Sequence, residues 1–164
     1  MTELFLLLGG NQGDKALIFK EAMIGLEKSV GKIIKKSSIY ETEPWGFKSD
    51  DYFWNQVLIV CTELSPEEVL QHTKRIEKDL GRIRTKERYC SRTIDIDMLF
   101  YDDLVLHSVD LELPHKRIID RRFVLEPLAE VAPLLYHPVF KQTIAELLEN
   151  CSDTLSVSRI DALV

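Results

Sequence analysis

Residues Thr93–Tyr101 read TIDIDMLFY, with Ile94, Ile96 and Met98 alternating around Asp95 and Asp97. That period of two belongs to a strand, so both carboxylates project from the same face and lie close together. Upstream, Ser65, Pro66 and Glu68 form a capping-box start for a helix that Gly81 closes, with Val69, Thr73, Ile76 and Leu80 as its inner face. Before it come two expected strands, Lys32–Tyr40 and Trp54–Thr62, separated by the loop ETEPWGFKSDD. At the start, Glu3–Leu8 reads as a strand and GGNQGD as a turn, and a helix follows from about Asp14. Phe19, Met23, Leu26 and Val30 recur at helical spacing along it, and Gly31 ends it. The order is βαββαβ. It predicts an α+β fold, a ferredoxin-like antiparallel sheet with helices packed on it. The remaining third predicts a C-terminal extension: a short strand near Leu104–Leu106, a helix around Phe123–Val131 and a last helix near Thr143–Asn150. No linker, repeat or low-complexity tract interrupts the chain, so residues 1–164 are expected to form a single domain.

Composition narrows the class. With 164 residues, 45% of them hydrophobic, the chain can bury most of its apolar surface without staples. The FLLL run near the start is short and lacks a basic leader, and reads as a buried strand, not a signal peptide or a membrane span. Cys61, Cys90 and Cys151 are odd in number and lack metal-ligand spacing, which predicts reduced thiols in a cytoplasmic protein.

The chemistry is concentrated just before Asp95. Between Arg82 and Arg92 the chain carries Arg82, Arg84, Lys86, Arg88 and Arg92 against one acid, Glu87, although its formal net charge is -6. A local cationic segment in an acidic chain argues against a nucleic-acid surface, which is basic as a domain, and for a confined anionic ligand. Arginine presents a planar fork of donors that matches phosphate oxygens. Two neighbouring aspartates alone are more often the solvent face of an ordinary strand. Beside this basic stretch they suit a divalent ion such as Mg2+, which takes one or two carboxylates and leaves its other positions to water and phosphate.

These residues carry a resemblance. Arg-x-Arg followed by Arg-Tyr-x-x-Arg-Thr-Ile-Asp-Ile-Asp is similar to 6-hydroxymethyl-7,8-dihydropterin pyrophosphokinase of folate biosynthesis. LGGNQGD, SSIYETEPWG, FWNQV, TKRIEKDLGR and LPHKRIIDRRFVLEPLAEVAP agree in order and spacing, so the resemblance covers nearly the whole chain.

The resemblance implies ATP as co-substrate, two Mg2+ held by Asp95 and Asp97, and charge stabilisation by Arg82 and Arg92. It implies nucleotide contacts from Glu77, Arg84, His115 and Arg121. It further implies a flat pterin sandwiched by Phe53 and Phe123, with Thr42, Asn55 and the loop bearing Trp45 around it. Such an enzyme is expected to bind small molecules only, with no nucleic-acid or membrane partner, and to act as a monomer. Tyr89, Cys90 and Ser91 depart from the Trp and Gly-Pro usual before the Arg-Thr pair, and Phe53 stands where Tyr is frequent. The cation-rich stretch from Arg82 to Ser91 lacks an apolar run to anchor it and is expected to close as a lid once nucleotide arrives. Two other classes share the element order: a palm-type two-metal nucleotidyl transferase, and a non-catalytic βαββαβ module of RNA-binding type.

Overall fold

The computed structural model describes residues 1–43, 52–81 and 93–160. Trp45, Arg82, Arg84, Arg92 and the expected lid lie outside the described residues.

β1 (Thr2–Gly10) runs through the middle of a six-stranded sheet whose order is β5 (Asp95–Tyr101), β1, β4 (Phe53–Thr62), β3 (Ile39–Thr42), β8 (Val157–Ile160), with β2 (Gly31–Lys36) also paired to β4. All pairings are antiparallel. The βαββαβ path expected from the sequence is present, with α1 (Lys15–Ser29) and α2 (Pro66–Gly81) as its helices. Asp14 accepts from the Leu17 N–H and starts α1. The capping box of α2 is formed as expected: Ser65 Oγ accepts from Glu68 N at 3.2 Å, and Glu68 Oε1 accepts from Ser65 N at 3.4 Å.

The continuous apolar run of β1 has a simple cause, since the sheet is covered on both faces. Leu4, Leu6 and Leu8 pack with Phe19, Leu26 and Val69 beneath α1 and α2. Phe5 and Leu7 pack with Val124, Leu125 and Leu128 of α3 (Arg122–Val131) and with Ile144 and Leu147 of α4 (Ile144–Glu149). Fully burying each such side chain contributes about 1.5–3 kcal/mol before the entropic costs of folding. Asp95 and Asp97 point to the side opposite Ile96 and Met98, so the carboxylates share the face that carries α3.

Three expectations need correction. Lys32–Tyr40 is two strands, broken at Ser37: the Ser37 N–H still donates to Val57 O at 2.8 Å, but the Val57 N–H donates to Ser37 Oγ at 2.9 Å and Gln56 Nε2 donates to Ser37 O at 2.8 Å, so side chains take up the remaining backbone groups there. The strand near Leu104–Leu106 is β6 (Leu106–His107), paired with β7 (Glu112–Leu113) as a separate hairpin, because Tyr101–Leu104 is used by a turn with Asp102 at φ 46°. β8 was not expected at all. The helices near 123–131 and 143–150 form as read, α4 with a reciprocal capping box between Thr143 and Glu146. Among the described residues no helix is long and apolar enough to cross a membrane.

Candidate active site

Antiparallel register assembles residues that are far apart in the chain. Asp95 pairs with Gly9, Gly9 with Asn55, and Asn55 with Tyr40, so a single row crosses four strands. Directly opposed residues share a face. Asn55 therefore lies two strand spacings, about 10 Å, from Asp95. Only a glycine stands between them. In the neighbouring rows Leu7 separates Asp97 from Val57, and Thr42 faces Phe53.

The row opens into a hollow of about 470 Å³, within the range typical of small-molecule sites. Thr42, Phe53, Asn55, Asp95, Asp97, Arg121 and Phe123 all line it, so seven of the expected site residues are brought together. A second hollow of about 470 Å³ is lined by Glu77, Asp97 and His115 together with Lys74, Lys116 and the 108–112 segment. Asp97 borders both.

Burial raises the Asp97 carboxyl above the ordinary aspartate range, opposed by His115, reinforced by Asp95 and opposed again by Arg121 and Lys74. Its anion is therefore disfavoured, chiefly by loss of water. Among the described residues no group of three or more His, Cys, Asp or Glu side chains forms a metal cage. Oxygen ligands from two carboxylates, one of them a disfavoured buried anion, do fit a hard divalent ion that keeps water and phosphate in its remaining positions.

His115 is held at its backbone and at one ring nitrogen. Its backbone N–H donates to Leu99 O at 2.9 Å, and its ring Nδ1 accepts from the Arg117 N–H at 3.1 Å. Burial lowers its pKa, against the pull of Asp97. The neutral ring thus carries its proton on Nε2, as a donor.

Glu77 crosses from α2 to the outer edge of β5, where Oε2 accepts from the Ile96 N–H at 2.7 Å. Burial raises its pKa, with Asp95 and Asp97 adding to the rise and this hydrogen bond opposing it. The bond caps the edge strand between the two aspartates.

Several lining residues escaped the sequence reading. Gly9 and Gly10 line the first hollow, and a Cβ on Gly10 would lie 2.6 Å from Thr93 O. A Cβ on Gly9 would stand 3.1 Å from Asn55 Oδ1. Their place after Leu6–Leu8 and before a turn was the available signal. Leu7, Glu43, Arg117 and Asp120, the last two ion-paired at 3.2 Å, and Asp153 and Leu155 complete the lining. Arg121 places its guanidinium over the Phe123 ring, 5.5 Å from the centroid.

A family model described as 7,8-dihydro-6-hydroxymethylpterin-pyrophosphokinase (HPPK) matches residues 5–133. A 2-amino-4-hydroxy-6-hydroxymethyldihydropteridine pyrophosphokinase of Porphyromonas gingivalis is 41% identical over 141 residues, covering 84% of this chain and 95% of that protein. The protein of the same description from Aquifex aeolicus is 36% identical over 146 residues, covering 89% of this chain and 90% of its own. A crystal structure of Plasmodium falciparum HPPK-DHPS with SDX-DHP superposes with a TM-score of 0.71 at 21% identity. It shares the fold over 91% of this chain, which spans 43% of that longer chain.

Proposed function

Because the chain belongs to the 7,8-dihydro-6-hydroxymethylpterin-pyrophosphokinase family, it is an ATP-dependent pyrophosphokinase, and we propose that transfer takes place over Asp95 and Asp97, where the two hollows meet. The reaction passes the pyrophosphoryl group of ATP to the hydroxymethyl oxygen of 6-hydroxymethyl-7,8-dihydropterin, leaving AMP and the pterin diphosphate. The observation that carries the assignment of the site is that Asp97 lines both hollows, so one carboxylate can serve two substrates at once.

The pterin occupies the first hollow, between Phe53 and Phe123, with Thr42 and Asn55 at its edge; Trp45 joins this set on the strength of the resemblance. Planar rings favour aromatic faces and fixed polar groups at the edge. ATP lies along the second hollow, where His115 offers its Nε2 proton; Arg121, which lines the first hollow with Asp97, reaches the nucleotide from that side, and Arg84 joins on the strength of the resemblance. Glu77 contributes by holding the β5 edge on which both aspartates stand. Asp95 and Asp97 would hold Mg2+, two ions in this reading, and the metal supplies charge neutralisation on the polyphosphate. Everything else asked of the chain is alignment: the hydroxymethyl oxygen and the β-phosphorus must meet in line, which explains why no nucleophilic side chain is needed. The protein works as a monomeric single domain in the cytoplasm.

Incubating the protein with ATP, Mg2+ and the hydroxymethyl-dihydropterin should yield AMP and the pterin diphosphate in equal amounts. Release of ADP, or of no nucleotide product, would overturn the assignment. The RNA-binding alternative finds no support, since that mode needs a sheet face open to bases and here both faces are covered. The palm-type alternative is disfavoured by the family match.

Gly10 tests how closely the aspartates must be placed. In Gly10→Ala the new Cβ meets a backbone oxygen at the entry to β5, which cannot yield without moving the strand. We expect a stability loss of about 1–3 kcal/mol from overpacking, and at least a tenfold fall in kcat as Asp95 shifts. Gly9→Ala presses only on the Asn55 side chain, so its effect should fall on the KM for pterin, with thermal stability near wild type. Calorimetry and steady-state kinetics on the two variants would check the contrast.

A further inference from the structure

We propose that the segment Asp153–Leu155 is a wall of the pterin hollow, with Leu155 as a specificity-determining contact and Asp153 as the residue that positions it. The proposal rests on the assignment of the first hollow to pterin.

Four observations converge on it. Asp153 and Leu155 both line the first hollow, beside Thr42, Phe53 and Phe123. Exposure alternates along the segment: Asp153, Leu155 and Val157 are half-buried, and Thr154 and Ser156 are exposed, so the first set points inward. The segment is fastened at both ends. Beyond it β8 pairs with β3, setting Val157 against Thr42. Before it Asp153 Oδ2 accepts from the Arg122 N–H at 3.0 Å and Oδ1 from the Leu155 N–H at 3.0 Å, while Arg122 Nε donates back to Asp153 O at 3.0 Å.

The Arg122 contact has a further consequence. Arg121 occupies the N-cap of α3 and makes no side-chain capping bond. Asp153 supplies the missing acceptor, with a negative charge at the helix's positive end. The same carboxylate therefore fixes the start of the helix that brings Arg121 and Phe123 to the hollow, and the inward turn of Leu155. The segment also lies beyond residue 133, where the family match ends.

The test uses the full chain with Leu155→Ala and Leu155→Trp, measuring pterin KM, kcat, the Kd of a non-transferable ATP analogue with Mg2+, and Tm. Leu155→Trp, which fills the hollow, should raise the pterin KM at least tenfold. Leu155→Ala should raise it about threefold to tenfold through lost apolar contact, and should narrow the discrimination against a pterin carrying one extra methyl group. The ATP-analogue Kd should stay within twofold in both. Asp153→Ala should reproduce the pterin defect, and Asp153→Asn, which keeps one acceptor, should show it in smaller measure. An unchanged pterin KM and unchanged discrimination in both Leu155 variants would overturn the wall, as would parallel loss of pterin binding, ATP-analogue binding and Tm, which marks a purely structural role. If the unaltered protein releases no AMP with pterin present, the functional assignment fails and the wall with it; if it turns over normally and the Leu155 variants match it, the wall alone fails.

Discussion

Asp97→Asn is expected to lower kcat by at least about a hundredfold, or about 2.7 kcal/mol, while the folded protein becomes no less stable. The two effects have opposite origins. Asn keeps the shape of the side chain but is a poor partner for a hard cation, so the charge neutralisation assigned to this position is lost. Stability follows from the raised carboxyl pKa, which burial causes first and Asp95 adds to. A carboxyl whose folded pKa lies above its unfolded value of 3.8 loses stability as pH rises from there through the folded pKa, because the folded state holds the proton longer. At neutral pH the anion is therefore a cost to folding in the metal-free protein. Replacing it with a neutral amide should leave Tm unchanged or raise it. Added Mg2+ should raise the Tm of the wild type and have little effect on that of the variant, since only a state that binds the ion is stabilised by it. Wild-type kcat in Asp97→Asn, or wild-type turnover undiminished by chelator, would remove the metal from the account.

The parts of this molecule that could be read from the chain are those governed by local rules. Capping boxes at Ser65 and Thr143 form from residues three apart, and the period-two pattern around Asp95 needed only its own strand. Thr42, Phe53, Asn55, Asp95, Asp97, Arg121 and Phe123 do converge on one hollow, and Glu77 and His115 on the next. What escaped was lateral. That Gly9 would stand between Asp95 and Asn55 is a matter of register, which depends on how three strands align and not on any one of them. The break at Ser37 reflects a serine hydroxyl competing with the backbone for Val57, a contact to a residue 20 positions away. β8 did leave a trace, since Leu155 and Val157 alternate with Ser156 and Ser158, but an edge strand of four residues, two of them the polar Ser158 and Arg159, resembles a loop. Asp153 carried no local signal, because the helix end it caps is 31 residues upstream in sequence.

Arg82→Ala and Arg92→Ala are each expected to lower kcat by roughly ten- to a thousandfold, about 1.4 to 4 kcal/mol. Both residues lie outside the described part of the structure, and the expectation rests on the resemblance and on the charge of the described walls. The first hollow presents Glu43, Asp95, Asp97, Asp120 and Asp153 against Arg117 and Arg121, and Arg117 already faces Asp120. The second presents Glu77, Asp97, Asp110 and Glu112 against Lys74, Lys116 and a histidine that burial keeps neutral. An acid-rich cleft of this kind repels a polyphosphate. In the proposed assignment, positive charge comes from a divalent ion and from the stretch 82–92, whose sequence sets five cations against one acid. Charge on the bridging and terminal oxygens changes as the β-phosphorus passes between nucleophile and AMP, so donors aimed at those oxygens stabilise the transition state more than the bound ground state. The loss should therefore appear in kcat and equally in kcat/KM, with nucleotide affinity little altered. A defect confined to the KM for ATP would assign these arginines to binding alone, and would leave the aspartates and their metal to carry the chemistry without them.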